Sequence, residues 1–146
     1  MSNSNWPRWI FSSLTQYFQA IADAYPITLH IEGIERDTTD KETFLELRID
    51  GPTTKEISHD YYRLDVTVEI LWSVDMTSTD FHEPWRVKGA VINAFDDICI
   101  TETDGTHLGT LILKSEVRVA DYGQIKEDVP IVQGTVAANF EMYLEE

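Results

Sequence analysis

The first part of the chain combines a helical pattern with a strand pattern. Apolar residues recur at three- and four-residue intervals over residues 10–25, which predicts an amphipathic helix that begins at Trp6. Residues 27–32 then carry an apolar side chain at every second position, which is typical of a half-buried strand. Residues 34–42 are charged and rich in threonine, so we expect a loop there.

The middle of the chain carries the clearest strand pattern. Residues 60–74 alternate over a length greater than that of most strands, with one face formed by Tyr62, Leu64, Val66, Val68, Ile70 and Trp72. Residues 43–50 alternate as well, and Gly51-Pro52 predicts the end of that strand. The two strands therefore predict a hairpin whose long polar tip is the connection 51–59.

A second helix and further strands are expected in the last part of the chain. Glu83-Pro84 indicates a helix start, and apolar residues recur at helical spacing from Val87 to Ile98. A turn at Asp104-Gly105 precedes the expected strands, which cover residues 108–113, 116–120 and 131–144.

This order of elements predicts an α+β fold, a mainly antiparallel sheet with a long hairpin, packed by two amphipathic helices. The two periodicities together place one set of residues in a common core: Val66, Val68, Ile70, Val91 and Phe95. A chain of 146 residues has room for one ordinary core, so we expect a single domain over 1–146, with residues 1–5 flexible.

Composition narrows the classes of protein that remain. No apolar run approaches the roughly 18 residues that a membrane-spanning helix needs. The N-terminus lacks a cationic region followed by an apolar stretch, so it does not resemble a secretory signal. We therefore expect a soluble protein that is made in the cytoplasm and has no membrane partner.

The charge of the chain is strongly negative. The sequence has 11 Lys and Arg against 26 Asp and Glu, a formal net charge of −15. Such a surface repels phosphate, which argues against tight binding of nucleic acid or anionic lipid. It does not prevent a nucleic acid from passing close by.

The sequence shows no catalytic motif and no cofactor motif. Its glycines form no phosphate-binding loop, and neither a Gly-x-Ser-x-Gly elbow nor a His-Glu-x-x-His pair occurs. Cys99, between two isoleucines, is expected to be a small buried apolar side chain. We therefore predict a protein that is not an enzyme, with no catalytic, cofactor-binding or metal-binding residues and no cofactor.

Three clusters of acidic and histidine residues were weighed as metal or catalytic sites. They are residues 80–83, which contain Asp80, His82 and Glu83, the pair His59-Asp60, and the loop 37–42. None has the spacing of a zinc site or a calcium loop. In so acidic a chain we interpret all three as solvated or helix-capping groups.

The pattern as a whole resembles the tail terminator and tail completion proteins of tailed bacteriophages. The resemblance lies in the order of an aromatic amphipathic helix, the alternating strand 61–72, a second helix 85–98 and the long final strand 132–144. It implies a structural virion protein without cofactor or catalytic residues, which forms a ring, usually a hexamer. Such a ring caps the tail tube, joins it to the neck and lets DNA pass without specific binding.

Two other interpretations stay open. The first is a neck or connector adaptor, or another small assembly protein, and the second is a small-molecule-binding protein or an enzyme. For any ring, we expect the hairpin tip to contact a neighbouring subunit through Thr53, Thr54, Lys55, Glu56 and Ile57.

The acidity has two interpretations. In the first, acidic residues face the ring axis and line a path for DNA, and the candidates are Asp37, Asp40, Glu42, Glu145 and Glu146. In the second, carboxylates cover every exposed face and only keep the protein soluble. Screening over roughly 8 Å at physiological salt means that only acids close to the DNA could influence its passage.

Overall fold

A computed structural model describes residues 5–25, 27–31, 43–75, 83–102, 104–126 and 129–145. Within these ranges the chain forms two helices and seven strands in the following order: α1 (Trp6–Ala24), β1 (Thr28–Ile31), β2 (Phe44–Ser58), β3 (Tyr61–Asp75), α2 (Glu83–Ala94), β4 (Ile98–Thr101), β5 (His107–Leu113), β6 (Arg118–Lys126) and β7 (Val129–Glu145). The fold class is α+β, with most of the core built on the sheet.

The seven strands form one sheet, in which six follow the order β1-β2-β3-β7-β5-β4 and β6 pairs with β7 beside this path. β1 runs parallel to β2, and every other pair is antiparallel. The edge of β7 that faces away from β3 is shared, because β6 pairs with residues 129–137 and β5 with residues 140–141. β3 is central, since β2 and β7 flank it over almost its whole length.

The core lies between one face of this sheet and the helices. The even-numbered side chains of β3 from Leu64 to Val74 are buried, and α1 buries Ile10 and Phe18 with its apolar stripe. The five residues predicted to share a core all belong to one buried cluster, which confirms that prediction. The Tyr17 hydroxyl donates a hydrogen bond of 2.8 Å to the Ala94 carbonyl and joins α1 to the end of α2.

The predicted end of β2 at Gly51-Pro52 is wrong. β2 continues to Ser58, and the interruption is a bulge in the ladder between Asp50 and Thr53. Gly51 adopts a φ of +99°, which favours glycine, and a Cβ there would lie 3.0 Å from the Asp65 carbonyl oxygen. The glycine therefore bends the strand, and only residues 59–60 connect β2 to β3.

The second helix also ends earlier than its period predicted. α2 stops at Ala94, and Ile98 begins β4, a strand that the sequence reading missed. The carboxylate of Asp97 accepts a 2.9 Å hydrogen bond from the Leu113 backbone N–H, which fixes the turn between α2 and β4. β6 starts at Arg118 and not at Glu116, and it runs on to Lys126.

Two side chains lie where the sequence did not predict them. Cys99 is exposed on β4 between the buried Ile98 and Ile100, so the expectation of a buried thiol is wrong. Glu46 lies where the alternation of residues 43–50 predicts the polar face of β2, but it is 4% exposed. Its carboxylate accepts hydrogen bonds of 3.0 and 2.8 Å from Arg48, so its charge is paired where it is buried.

Among the described residues, neither helix has the length and apolar character that crossing a membrane requires.

Candidate functional site

Two surface features stand out, and they lie at opposite ends of β3. The first is the end of the β2–β3 pair, residues 51–61, called the tip below. The second is a cavity beside Trp72 and Trp85, called the Trp pocket below.

The tip contains all the residues that the sequence assigned to an assembly contact. Thr53, Thr54, Lys55, Glu56 and Ile57 are each exposed, although they are part of a paired strand. The ladder slips between Glu56 and Ser58, so Ile57 has no residue opposite it and is 48% exposed. An isoleucine presented this way among polar neighbours is available for contact.

The end of the tip is stiffened by an aromatic pair and a tight turn. The rings of Tyr61 and Tyr143 stack with their centroids 5.7 Å apart and an interplanar angle of 12°. Asp60 holds a φ of 60° in the turn, and its carboxylate lies 3.1 Å from the imidazole of His59. The His59 side chain is 92% exposed, so this pair is solvated, as interpreted from the sequence.

The outer edge of β2 is only partly covered by β1. β1 pairs with Phe44–Leu47, and the part of the chain that the structure describes places no strand beside residues 48–58 on that side. Free N–H and C=O groups along such an edge can pair with another strand. This open edge of β2 therefore extends from the residues that β1 pairs with to the tip.

The Trp pocket has a volume of about 310 Å³ and lies between the first turn of α2 and the sheet. Its walls are mainly apolar and aromatic, and its lining residues are Trp72, Pro84, Trp85, Lys88, Asp121, Gly123 and Val132. Cavities of this size and character hold small ligands or an inserted side chain.

A glycine makes room for the indole at the base of the Trp pocket. Trp72 pairs in register with Gly134 of β7, and a Cβ on Gly134 would lie 2.7 Å from Cε2 of the Trp72 ring. The Trp72 side chain is 2% exposed, and its Nε1 has no hydrogen-bond partner among the described atoms.

The rim of the Trp pocket carries one ion pair and one exposed aromatic ring, that of Trp85. The Lys88 ammonium lies 2.8 Å from the Asp121 carboxylate and 5.1 Å from the centre of the Trp85 ring. Trp85 is 67% exposed and Tyr122 is 58% exposed. Tyr122 lies in the bulge between Asp121 and Gly123 and is not part of the pocket lining, and its hydroxyl lies 3.4 Å from the Thr135 hydroxyl of β7.

The sequence reading missed the Trp pocket. The sequence feature that could have indicated this pocket is Trp85, which lies beside the apolar stripe of α2 that continues through Val87 and Val91. The other half of the signal could not be seen, because Asp121 and Val132 reach Lys88 and Trp72 only through the pairing of β6 with β7 and of β7 with β3.

Among the described side chains, three have displaced pKa values, and they do not lie together. Burial raises the pKa of Tyr17, helped by the nearby charge of Asp96. Hydrogen bonds from Thr106 lower the pKa of Asp104, and the hydrogen bond from Lys114 lowers that of Glu141. None of the three lines the Trp pocket.

The remaining predicted site residues fall on parts that are not described. Asp37, Asp40, Glu42 and Glu146 lie outside the described residues, as do the side chains at 80, 82 and 83. The backbone of Glu145 pairs with Tyr61, but its side chain is outside the described set. Among the described side chains, no group of three or more His, Cys, Asp or Glu could hold a metal ion.

Four of the described basic side chains are paired with acids. Four ion pairs of 2.7–3.3 Å take up a cation each, and they are Arg48–Glu46, Arg63–Asp65, Lys88–Asp121 and Lys114–Glu141.

No family model and no curated protein matches the sequence. Seven chains among the solved structures match the fold. One of them aligns over 93% of this chain and 94% of its own, with a TM-score of 0.59 and 8% sequence identity. At that identity the likeness shows the fold alone.

Proposed function

We propose that this chain is a structural protein that assembles into a homo-oligomeric ring, of the kind that tail terminator proteins of tailed bacteriophages form. In this proposal the ring is a hexamer that caps the tail tube and joins it to the neck. The protein then acts in the virion after synthesis in the host cytoplasm, and its partners are its own copies, tail-tube proteins and neck proteins.

The observation that carries the proposal is the exposed tip. Burial on β2 falls from Phe44–Leu47, which are all buried, to residues 53–59, which are all exposed. The ladder with β3 nevertheless continues to Ser58. A strand pair that extends beyond its own core has no packing reason to be so long, and a contact with another subunit would supply one.

The finer architecture is part of the proposal. The β2–β3 pair acts as a long hairpin arm, and the two amphipathic helices pack the sheet that holds this arm. Burial of Leu14 and Phe18 on α1, and of Val87 and Val91 on α2, supports this arrangement. An arm anchored by a rigid core loses little entropy when its tip binds.

Passage of DNA through the ring is the second part of the proposal. The formal charge of −15 supports it, as does the pairing of four described cations within the chain. Acids that face the axis would keep DNA from adhering, and the candidates remain Asp37, Asp40, Glu42, Glu145 and Glu146. DNA delivery by virions with these acids changed to lysine tests it, because a solubility role predicts unchanged delivery.

Native mass spectrometry of the purified chain over a wide range of concentrations tests the ring itself, with electron microscopy to show closure. We expect a single closed species, and a monomer at every concentration would overturn the proposal. Gold-labelled antibody on intact virions then separates the two assembly interpretations. A label where tail meets neck supports a terminator, whereas a label at the head supports an adaptor.

A further inference from the structure

β6 lies in the sheet without burying a residue of its own over 118–123. All six of these residues are exposed, and the large apolar ones, Val119 and Tyr122, are 41% and 58% exposed. Val119 pairs with Val136, so the two side chains share one face of the sheet, and Val136 is fully buried on that face. The core that covers Val136 therefore does not extend over β6.

The ladder that joins β6 to β7 is irregular. Its register shifts between Asp121 and Gly123 and again between Gln124 and Lys126, and Gly123 adopts a φ of 65°. Each shift interrupts the hydrogen bonds between the strands. In the part of the chain that the structure describes, β7 is the only strand that pairs with β6. Local opening is favoured where few apolar side chains are buried and the backbone hydrogen bonds are exposed to solvent.

Two of the described side-chain contacts tie β6 to its neighbours. The Lys88 ammonium of α2 lies 2.8 Å from the Asp121 carboxylate, and the Tyr122 hydroxyl lies 3.4 Å from the Thr135 hydroxyl. The Asp121 side chain is 52% exposed, so solvent screens the ion pair and limits what it contributes. The hydroxyl contact is long for a hydrogen bond between two oxygens. Neither contact replaces the packing that β6 lacks.

We infer that β6 is a strap that opens one side of the Trp pocket while the rest of the sheet stays folded. Asp121 and Gly123 of β6 line the pocket together with residues of β3, α2 and β7. When β6 leaves β7, the pocket loses that side of its wall, and the edge of β7 over residues 129–137 becomes free. The inference follows from burial and pairing within one chain and does not depend on the proposed ring.

Amide hydrogen exchange on the full chain tests the strap, read residue by residue by mass spectrometry at a concentration too low for assembly. The N–H groups of β7 point alternately towards β6 and towards β3. If β6 opens alone, the amides of residues 132–137 that face β6 exchange together with β6, whereas those that face β3 stay protected. We expect protection at least tenfold lower for the first set. Its exchange should depend little on urea, because a local opening exposes little surface.

A pair of variants tests whether the ion pair holds the strap closed. Lys88→Met removes the contact with Asp121, and Lys114→Met is the matched control, because it removes a similar ion pair, with Glu141, away from β6. We expect Lys88→Met to speed exchange of β6 about threefold and to leave the amides of β3 unchanged. Should its β3 amides also exchange faster, Asp121→Asn removes the same ion pair from the strap side. Equal acceleration of β6 by Lys114→Met would overturn the inference, since β6 would then not open separately.

Two further results would overturn the strap. In the first, β6 exchanges only by global unfolding, with the protection and urea dependence of Val66 and Val68 in β3. In the second, the β7 amides that face β3 exchange as fast as those that face β6, which would mean that both strands open as one unit. Either result leaves the proposed ring standing, because native mass spectrometry of the wild-type chain tests the ring separately.

Discussion

β2 and β3 have the same length and pair with each other, yet they differ in burial. In β3 every even-numbered residue from Leu64 to Val74 is buried. In β2 burial ends after Leu47, and residues 53–58 are all exposed. Both strands are 15 residues long, so length and pairing do not decide burial.

The difference in burial follows from the elements that lie next to each strand. β3 has a strand on each side almost throughout, and the helices and the rest of the core cover its even face. Among the described residues, β2 has a second neighbouring strand only where β1 pairs with Phe44–Leu47. We therefore expect packing to stabilise the part of the β2–β3 pair outside the tip. The tip itself should contribute to function and add little to stability. The predictions below test that division.

The largest effect is expected at the centre of the covered part. Val68 is fully buried and stands between Ile49 and Ala138 in the ladder. Val68→Asp would place an unpaired carboxylate in the core, which costs several kcal/mol, so we expect the variant not to fold. Circular dichroism and thermal melting check this. A soluble Val68→Asp protein with a normal melting curve would contradict the assignment of this sheet.

The next largest effect is expected at Gly134, which pairs with Trp72 in the ladder between β7 and β3. A Cβ on Gly134 would meet both the Trp72 ring and, at 2.7 Å, the Ala120 carbonyl oxygen. Since neither a packed indole nor a backbone oxygen can move easily, we expect Gly134→Ala to lower the free energy of unfolding by about 1–3 kcal/mol.

Gly109→Ala is the matched control for that substitution. The new Cβ would lie 2.8 Å from Sδ of Met142, whose flexible thioether can shift. Urea unfolding should therefore show a smaller loss than for Gly134→Ala. Equal losses at the two positions would mean that the Trp72 ring is not fixed against β7 in the way described.

The strands and the core could be predicted from the sequence because alternation reports directly on one-sided burial. For residues 64–72, the alternation alone predicts which side chains are buried, and the neighbouring strands need not be known. The predicted burial was wrong for two residues whose exposure depends on the neighbouring strands, Glu46 and Cys99. Glu46 is buried because β1 and β3 flank it, and Cys99 is exposed because it lies on the outer face of β4.

Breaks in a pattern were the other source of error. Gly51-Pro52 has the composition of a turn, but a bulge accommodates it while the ladder continues. The tip residues could be named because they are polar and lie between two alternating strands. The Trp pocket could not, because the long-range pairs Trp72–Gly134 and Asp121–Gly134 bring its parts together.

A small effect on stability is expected at the tip itself. Ile57 is half exposed and stands in a bulge, so Ile57→Asp should change the free energy of unfolding of the monomer by no more than about 0.5 kcal/mol. Urea unfolding at a concentration too low for assembly measures it. A loss as large as that expected for Gly134→Ala would show that the tip supports the fold, and the division between the two regions would fail.

The last prediction concerns the charges on the face of the sheet opposite the core. Glu141 pairs in register with Asp65, and its carboxylate accepts hydrogen bonds of 2.7 Å from Lys114 and 3.3 Å from Tyr143. The hydrogen bond from Lys114 is the main reason that the pKa of Glu141 lies below its ordinary value of 4.5. Because the Lys114 side chain is 49% exposed, solvent screens the pair and limits its contribution to less than about 1 kcal/mol.

The sign of the pH dependence follows from that lowered pKa. The stabilisation is fully present above pH 4.5, where the unfolded chain is also ionised, and it is lost as the pH falls through the folded pKa. Glu141→Gln should therefore be slightly less stable than the wild-type chain at pH 7, and the difference should vanish in acid. Glu116→Gln, at an exposed acid that none of the described ion pairs includes, should show no such convergence. A difference in the free energy of unfolding between the wild-type chain and Glu141→Gln that widens as the pH falls would contradict the assigned ion pair. A difference of several kcal/mol at pH 7 would mean that charge, and not packing, stabilises this part of the sheet.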